Sequence, residues 1–307
     1  MTQQLKHNLI VLLGATASGK THLGVLLAQL LNGEIISADS RQVYRGMDIG
    51  SGKDLEEYGD VPYHLIDIAD PEDEYNVYEF QKDFLNAYTC IQERGRMPLL
   101  VGGTGLYLDS VLKAYNFLEV PRNTSLRERL QPYSDNELAQ YLSQLNQTLH
   151  NTTDLLDRDR TLRAIEIAYA KTKMEEMDCD KRLQTISPIV LGLRWPRPKL
   201  QQRIALRLRQ RIDGGLIEEV DNLYKQGVSW QKLHFFGLEY RYVARYLQGE
   251  LNKNDMYQKL NSSICQFAKQ QEKWFRRMER NGITIHWLDG SGPVLKQAIQ
   301  ILEGHTR

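Results

Sequence analysis

Short apolar runs separated by longer amphipathic stretches organise the first third of the chain. Leu9 to Leu13, Glu34 to Ala38, Tyr63 to Asp67 and Pro98 to Val101 are β-prone, with helices fitting between or after them. From about Val77 to Glu93 the period becomes helical: Val77, Phe80, Phe84 and Ile91 share a face, Asn76-x-x-Glu79 is a capping pattern, and Gly95 is a stop. Strands alternating with helices imply a parallel sheet, hence an α/β fold.

From roughly Tyr115 to Ser187 the β-prone runs vanish, and Asn, Gln, Leu, Asp and Arg dominate. The capping patterns Ser125-x-x-Glu128 and Ser134-x-x-Glu137 predict short helices there. Ile189-Val-Leu-Gly-Leu then reads as a strand returning to the sheet, followed by helices and a late strand at Ile283 to Leu288. The expected organisation is a discontinuous core, 1–114 with 189–307, interrupted by an all-helical insertion at 115–188.

Composition narrows the class. At 307 residues, 41% hydrophobic and 25% charged, the chain suits one large or two modest globular domains. No apolar run is long enough to span a bilayer and the first residues lack a secretion signal, so no membrane contact and a cytoplasmic location are expected. Cys90, Cys179 and Cys265 have no paired spacing and read as unpaired thiols. The formal net charge is zero, which counts against a nucleic-acid partner, but the average hides seven basic residues and no acid between Arg194 and Arg211. Arg203, Arg207 and Arg211 would form one stripe of a helix, and Leu200, Ile204, Leu208 and Ile212 an inward apolar stripe. Such a basic stripe is either a solvated face or an anion contact.

A motif favours the anion. Leu9-Ile-Val-Leu-Leu leads directly into Gly14, Ala15, Thr16, Ala17, Ser18, Gly19, Lys20 and Thr21, the pattern G-x-x-x-x-G-K-[ST] between a strand and a helix. Glycines let backbone N–H groups turn onto a phosphate, Lys20 supplies a point charge, Thr21 offers a hydroxyl to Mg²⁺, and the helix presents its positive end. Asp39, just after the second strand, should lie near this loop at the carboxyl end of the sheet, as a Mg²⁺ ligand, a general base or a helix cap. Asp67 mimics a strand-end acid but suits local pairing as well. His64, Trp274, Phe275 and Trp287 read as packed residues.

Several segments together resemble the tRNA dimethylallyltransferases, also called tRNA isopentenyltransferases: Gly14 to Thr21, Ser37-Ala-Asp-Ser-Arg-Gln-Val-Tyr-Arg-Gly-Met-Asp-Ile-Gly50, Pro62-Tyr-His-Leu-Ile-Asp67, Val101-Gly-Gly-Thr-Gly-Leu-Tyr107, Arg163-Ala-Ile-Glu166 and Gly215-Leu-Ile-Glu-Glu-Val220. They occur in order across most of the chain. The resemblance implies a P-loop NTPase-like core and transfer of a dimethylallyl group from dimethylallyl diphosphate to N6 of the adenine at position 37 in tRNAs reading codons that begin with U. It implies that Gly14 to Thr21 and Arg207 hold the donor's diphosphate with Mg²⁺ on Thr21, and that Asp39 is the general base. It further implies that Asp39, Ser40, Arg41, Gln42, Thr104, Arg127, Asp159, Arg160, Thr161, Leu162 and Arg163 meet the tRNA, with the insertion gripping the anticodon arm of a substrate bound by a monomer. Without the resemblance, Arg160 and Arg163 read as surface charges. Three positions depart from the family pattern. Phe236-Gly-Leu-Glu-Tyr-Arg241 is two residues longer than usual, and Cys265 and Gln270 stand where arginines are common, so an altered tRNA affinity is expected. Related readings are prenyl transfer to free adenine nucleotides, a small-molecule kinase and a non-catalytic RNA-binding protein.

Overall fold

The apolar run after Asn8 becomes the central strand, β1 (Leu9–Gly14), whose side chains alternate between two cores. Leu9, Val11 and Leu13 join one and Ile10 and Leu12 the other, all fully buried, as a strand covered on both faces requires. The computed structural model describes residues 6–115, 117, 120, 122–145, 158–171 and 181–306. After β1 come α1 (Lys20–Leu31), β2 (Gly33–Ala38), a 3₁₀ turn (Leu55–Tyr58), β3 (Tyr63–His64), α2 (Val77–Glu93), β4 (Met97–Gly102) and α3 (Gly105–Leu112). Then follow α4 (Thr124–Leu130), α5 (Asp135–Leu145), α6 (Arg158–Lys171), α7 (Lys181–Gln184), β5 (Pro188–Arg194), α8 (Arg197–Asp213) and α9 (Leu216–Lys225). The chain ends with α10 (Trp230–Phe235), α11 (Leu238–Leu247), α12 (Lys253–Arg280), β6 (His286–Asp289) and α13 (Val294–Glu303).

The sheet order is β3-β2-β4-β1-β5-β6, and every pairing is parallel. Ile10 faces Leu99 on one side and Ile189 on the other. Because the chain passes from β4 across β1 to β5, a crevice opens at the carboxyl ends of the central strands, where such sheets bind ligands. The segments leaving β1, β2 and β4 at that end carry Gly14 to Thr21, Asp39 to Gln42, and Thr104.

The chain divides into two compact units, Met1–Ala114 with Arg182–Arg307, and Tyr115–Lys181. In the second, α4, α5 and α6 enclose a core of Leu126, Leu130, Leu138, Leu142, Leu162, Ile165 and Ala168. In the first, the apolar stripe Leu200, Ile204 and Leu208 of α8 packs with Leu260, Ile264 and Ala268 of α12 onto Ala15 and Ala17. A further helical core joins Val43, Tyr44 and Met47 to α9, α10 and α11. Phe275 is buried, and Trp274 and Trp287 pack against the same cluster. Among the described residues no helix is long and apolar enough to cross a membrane. Cys90 and Cys265 are free thiols, and Cys179 lies outside the described residues.

Three local expectations shift. The strand expected through Asp67 stops at His64, because Leu65 and Asp67 take φ of 63° and 57°, a left-handed backbone no strand holds. The last strand begins at His286 rather than Ile283, since the Ile283 N–H bonds to the Met278 carbonyl and closes the end of α12 around Gly282. Helix α4 is capped by Asn123, which accepts the Leu126 N–H at 3.0 Å, while Ser125 donates to the Asn123 side chain at 2.9 Å. The capping boxes at Asn76 and Ser134 form with Glu79 and Glu137.

One carboxylate is wholly buried inside β2. Glu34 meets His64 Nε2 at 2.6 Å, Arg94 Nε at 2.9 Å and Nη2 at 2.7 Å, and Arg96 Nη1 at 3.2 Å. Burial pushes its carboxyl up, but hydrogen bonds from Arg94 and His64 outweigh that and hold it down to about 2. Glu34→Ala is expected to cost about 2 kcal/mol at neutral pH, less than for a fully buried pair because Arg94 and Arg96 remain partly in water. A carboxyl pKa depressed by folding stabilises above its ordinary value near 4.5 and loses that contribution as pH falls toward 2. Urea unfolding of wild type and variant should therefore differ at pH 7 and converge in acid.

Candidate active site

The phosphate loop is shaped by two left-handed residues, Ala17 at φ 59° and Gly19 at φ 91°, just before α1. No side chain caps α1, so its first N–H groups stay available to an anion. The loop is instead held by groups far along the chain. Gln271 of α12 accepts the Thr16 N–H at 2.8 Å and donates to the Gly103 carbonyl at 2.9 Å, tying the end of β1 to the end of β4. Trp195 Nε1 donates to the Ser18 carbonyl, and Arg203 Nε, stacked 4.4 Å above the Trp195 ring, donates to the Ala17 carbonyl, both at 2.8 Å. With carbonyls drawn outward, N–H groups are left to face a ligand. Within the loop the Ser18 hydroxyl is buried and has no hydrogen-bond partner among the described residues.

Beside it, the turn after β2 fixes Asp39. Asp39 Oδ1 accepts the Arg41 N–H at 3.0 Å, while Oδ2 takes no hydrogen bond from the described residues. Thr104 Oγ1 accepts the Ser40 N–H at 3.1 Å, and the Thr104 N–H bonds to the Ala38 carbonyl at 3.1 Å. Gln42 is buried and clasps Ser37 at 2.7 Å and the Gly52 carbonyl at 2.9 Å. Arg41 donates to the Phe235 carbonyl at 3.0 Å and lies over the Phe235 ring, so the last residue of α10 meets a residue expected to contact tRNA. The Asp48–Gly50 loop is gathered by Glu219, which takes the N–H groups of Asp48, Ile49 and Gly50 at 2.6–2.9 Å and the Tyr240 hydroxyl at 2.8 Å. Asp67 pairs locally with the buried Lys53, which also holds Asp48.

Positive charge converges on this end of the sheet. The basic stripe of α8 is split among tasks: Arg203 holds the loop backbone, Arg207 pairs with Asp54, and Arg211 lies mostly buried near Glu239. Lys20 is pushed down to about 8, chiefly by burial and then by Arg207 and Arg211, against the opposing pull of Asp39 and Asp54. These groups are therefore within electrostatic reach of one another. Among the described residues no group of three or more His, Cys, Asp or Glu is arranged to hold a metal ion. An ion at the loop would rest on a hydroxyl such as Thr21, one carboxylate and the ligand's own phosphates, a donor set that suits Mg²⁺.

The second unit treats its candidates unequally. Arg127 bonds Glu166 at 2.7 Å and Asp159 at 3.2 Å, and Arg163 bonds Glu166 at 3.1 Å and the Val120 carbonyl at 2.7 Å, so both serve a buried carboxylate. Thr161 and Leu162 are buried, Leu162 in the core of the unit, whereas Asp159 and Arg160 are exposed. Gln270 is exposed and Cys265 packs half-buried on α12.

The model of the IPP transferase family matches residues 42–278, and that of the isopentenyl transferase family matches residues 7–58. A tRNA dimethylallyltransferase of Geotalea uraniireducens is 58% identical over 96% of this chain and 97% of its own length. The chain belongs to the tRNA dimethylallyltransferase family. Its relative in Geotalea daltonii is 56% identical over 96% of this chain and 95% of that protein. The solved structure of the full-length tRNA isopentenylpyrophosphate transferase of Bacillus halodurans is 34% identical, covers 97% of this chain and 95% of that one, and superposes with a TM-score of 0.70. As a member of this family the chain is a prenyl-transferring enzyme on a P-loop NTPase-like core. The family signatures acquire physical meaning here: the glutamate of Gly215 to Val220 that matters is Glu219, which gathers backbone amides in another signature. Glu219, Gln271, Trp195 and Asp54 had no assigned role in the sequence, because each acts across a long separation; that of Gln271 from Thr16 is 255 residues.

Lys20 makes anion binding pH-dependent. A bound diphosphate raises its pKa, so binding near pH 8 takes up protons and affinity falls as pH rises through about 8, with little change below 7. Calorimetry with inorganic pyrophosphate in buffers of different ionisation enthalpy should show this uptake, and Lys20→Met should abolish it.

Proposed function

We propose that this chain transfers the dimethylallyl group of dimethylallyl diphosphate to N6 of the adenine at position 37 in tRNAs reading codons that begin with U, releasing diphosphate. The observation that carries the reading is the meeting of a carboxylate, Asp39, with the cationic phosphate loop at one sheet end, so that a base and a leaving-group cradle share a site. Its relatives are tRNA dimethylallyltransferases by name. In the reaction the allylic C–O bond breaks as the N6–C bond forms, the bonding electrons leave with diphosphate, and one N6 proton passes to Asp39. Lys20, the uncapped N–H groups at the start of α1 and Arg207 stabilise the charge growing on the departing oxygens. Mg²⁺, held by Thr21, would supply Lewis acidity at those oxygens.

Adenine N6 is a poor nucleophile because its lone pair is delocalised into the ring, so a fixed proton acceptor matters. Asp39 is held at Oδ1 by the Arg41 amide, which leaves Oδ2 for that proton. Thr104, bound to the Ser40 amide, sets the same turn from β4. For tRNA contact, the exposed Asp159 and Arg160 and the partly exposed Arg163 present polar groups outward, with Arg127 bracing them through Glu166. Ser40 and Arg41 line the acceptor side by their position beside Asp39, while the buried Gln42 braces that turn through Ser37 and Gly52. A single-stranded loop lets the target base leave its stack at low cost. The substrate sets the compartment as the cytoplasm, and a monomer suffices because every group in this scheme comes from one chain.

Incubation with dimethylallyl diphosphate, Mg²⁺ and unmodified tRNA, followed by digestion and mass spectrometry, should yield prenylated adenosine; folded protein giving none would overturn the reading. Asp39→Ala should lower single-turnover transfer by about 10²- to 10⁴-fold while tRNA affinity changes little. Transfer at the normal rate would remove Asp39 from the role of base.

A further inference from the structure

Arg211 is the poorly served cation of the site. Its side chain is 12% exposed, its Nε is buried without a partner among the described residues, and Nη1 reaches the Gly50 carbonyl and Glu239 only at 3.5 Å, the outer limit of a hydrogen bond. A guanidinium carries five donors, and a buried one is costly unless an anion answers them. Burial shifts the Glu239 carboxyl upward, so the facing acid is itself a reluctant anion. One turn away, Arg207 has a better partner in Asp54, a partly exposed residue. Asp54 sits at φ 47° before the 3₁₀ turn and makes no capping bond there, which leaves its carboxylate for the arginine. The two guanidinium groups converge beside Gly52, at φ 66°: a Cβ there would collide with Arg211 Nη2 and fall 2.7 Å from Arg207 Nη2. Two like charges are thus packed side by side where a side chain is missing, within electrostatic reach of Lys20 and the phosphate loop.

We propose that Arg211 is a second diphosphate-binding arginine beside Arg207, and that Asp54 and Glu239 are internal counter-ions which the diphosphate displaces. The inference rests on the reading of the loop as a diphosphate cradle. Asp54 keeps Arg207 pointed at the site, and Glu239 half-neutralises Arg211 from the first turn of α11. A diphosphate carries enough charge and oxygen atoms to satisfy both guanidinium groups at once, in the planar two-point manner that arginine favours. On its arrival Arg207 exchanges a carboxylate for a phosphate, and the buried donors of Arg211 gain the acceptor they lack.

The test is pyrophosphate binding by calorimetry, with and without Mg²⁺, for wild type, Arg211→Gln and Asp54→Asn. Arg211→Gln should weaken binding by about 10- to 100-fold, the loss of one charge-assisted pair, without altering tRNA affinity. Asp54→Asn should tighten it by about 3- to 10-fold, because the competing carboxylate is gone. Tighter binding cannot arise from a misfolded variant. If wild type itself does not bind pyrophosphate, the reading of the site fails; if it binds and Arg211→Gln matches it, the role of Arg211 is overturned. Weakening by Asp54→Asn confined to Mg²⁺-containing buffer would make Asp54 a metal ligand instead and would overturn the counter-ion role.

Discussion

Lys20, Arg203, Arg207 and Arg211 are brought to one end of a sheet whose two faces are packed with apolar side chains, and like charges at such range repel strongly wherever water is scarce. Much of the architecture around the crevice answers that repulsion. Arg203 spends its charge on a carbonyl and an indole face, Arg207 on Asp54, and Arg211 on Glu239, while Asp39 offsets Lys20 from the turn after β2. The acids that offset this charge come from three separate segments. None neutralises it fully, and the remaining positive potential gives a multiply charged ligand its reason to bind.

A second set of contacts keeps this charge in register. The phosphate loop hangs from α8 and α12 by its carbonyls and by Gln271, and the Asp48–Gly50 loop hangs from Glu219 by its amides. In both cases a side chain on a packed helix holds the backbone of a loop that would otherwise need water. Such bonds are modest in net stability, yet costly to lose once buried. They suit a site whose groups must hold still while a bond is broken.

How far the chain could be read in advance follows from the reach of each interaction. The alternation across β1, the capping box at Asn76 and the apolar stripe of α8 are set within a few residues and were legible. The premature end of β3 turns on the left-handed backbone of Leu65, a residue type that gives no local sign of that conformation, and of Asp67. Ser125 and Asn123 compete for the same cap, and only the helix start decides between them. Evenly spaced arginines looked like one surface, but spacing says nothing of which neighbour each will find, and Trp195, Asp54 and Glu239 divided them. Likewise Arg163, a surface charge by its sequence context alone, is tied to the buried Glu166 that Arg127 also holds.

The link between Thr16 and Gln271 also bears on how the molecule is made. Synthesis runs from the amino terminus, so the loop is among the first segments to leave the ribosome. Its backbone brace emerges 255 residues later, and β5, which flanks the strand beneath it, begins only at Pro188. Until then the central strand lacks one neighbour and the loop lacks its anchor. The part of the chain translated almost first is thus completed almost last, and a nascent chain stopped short of α12 carries the signature of the cradle without its working shape.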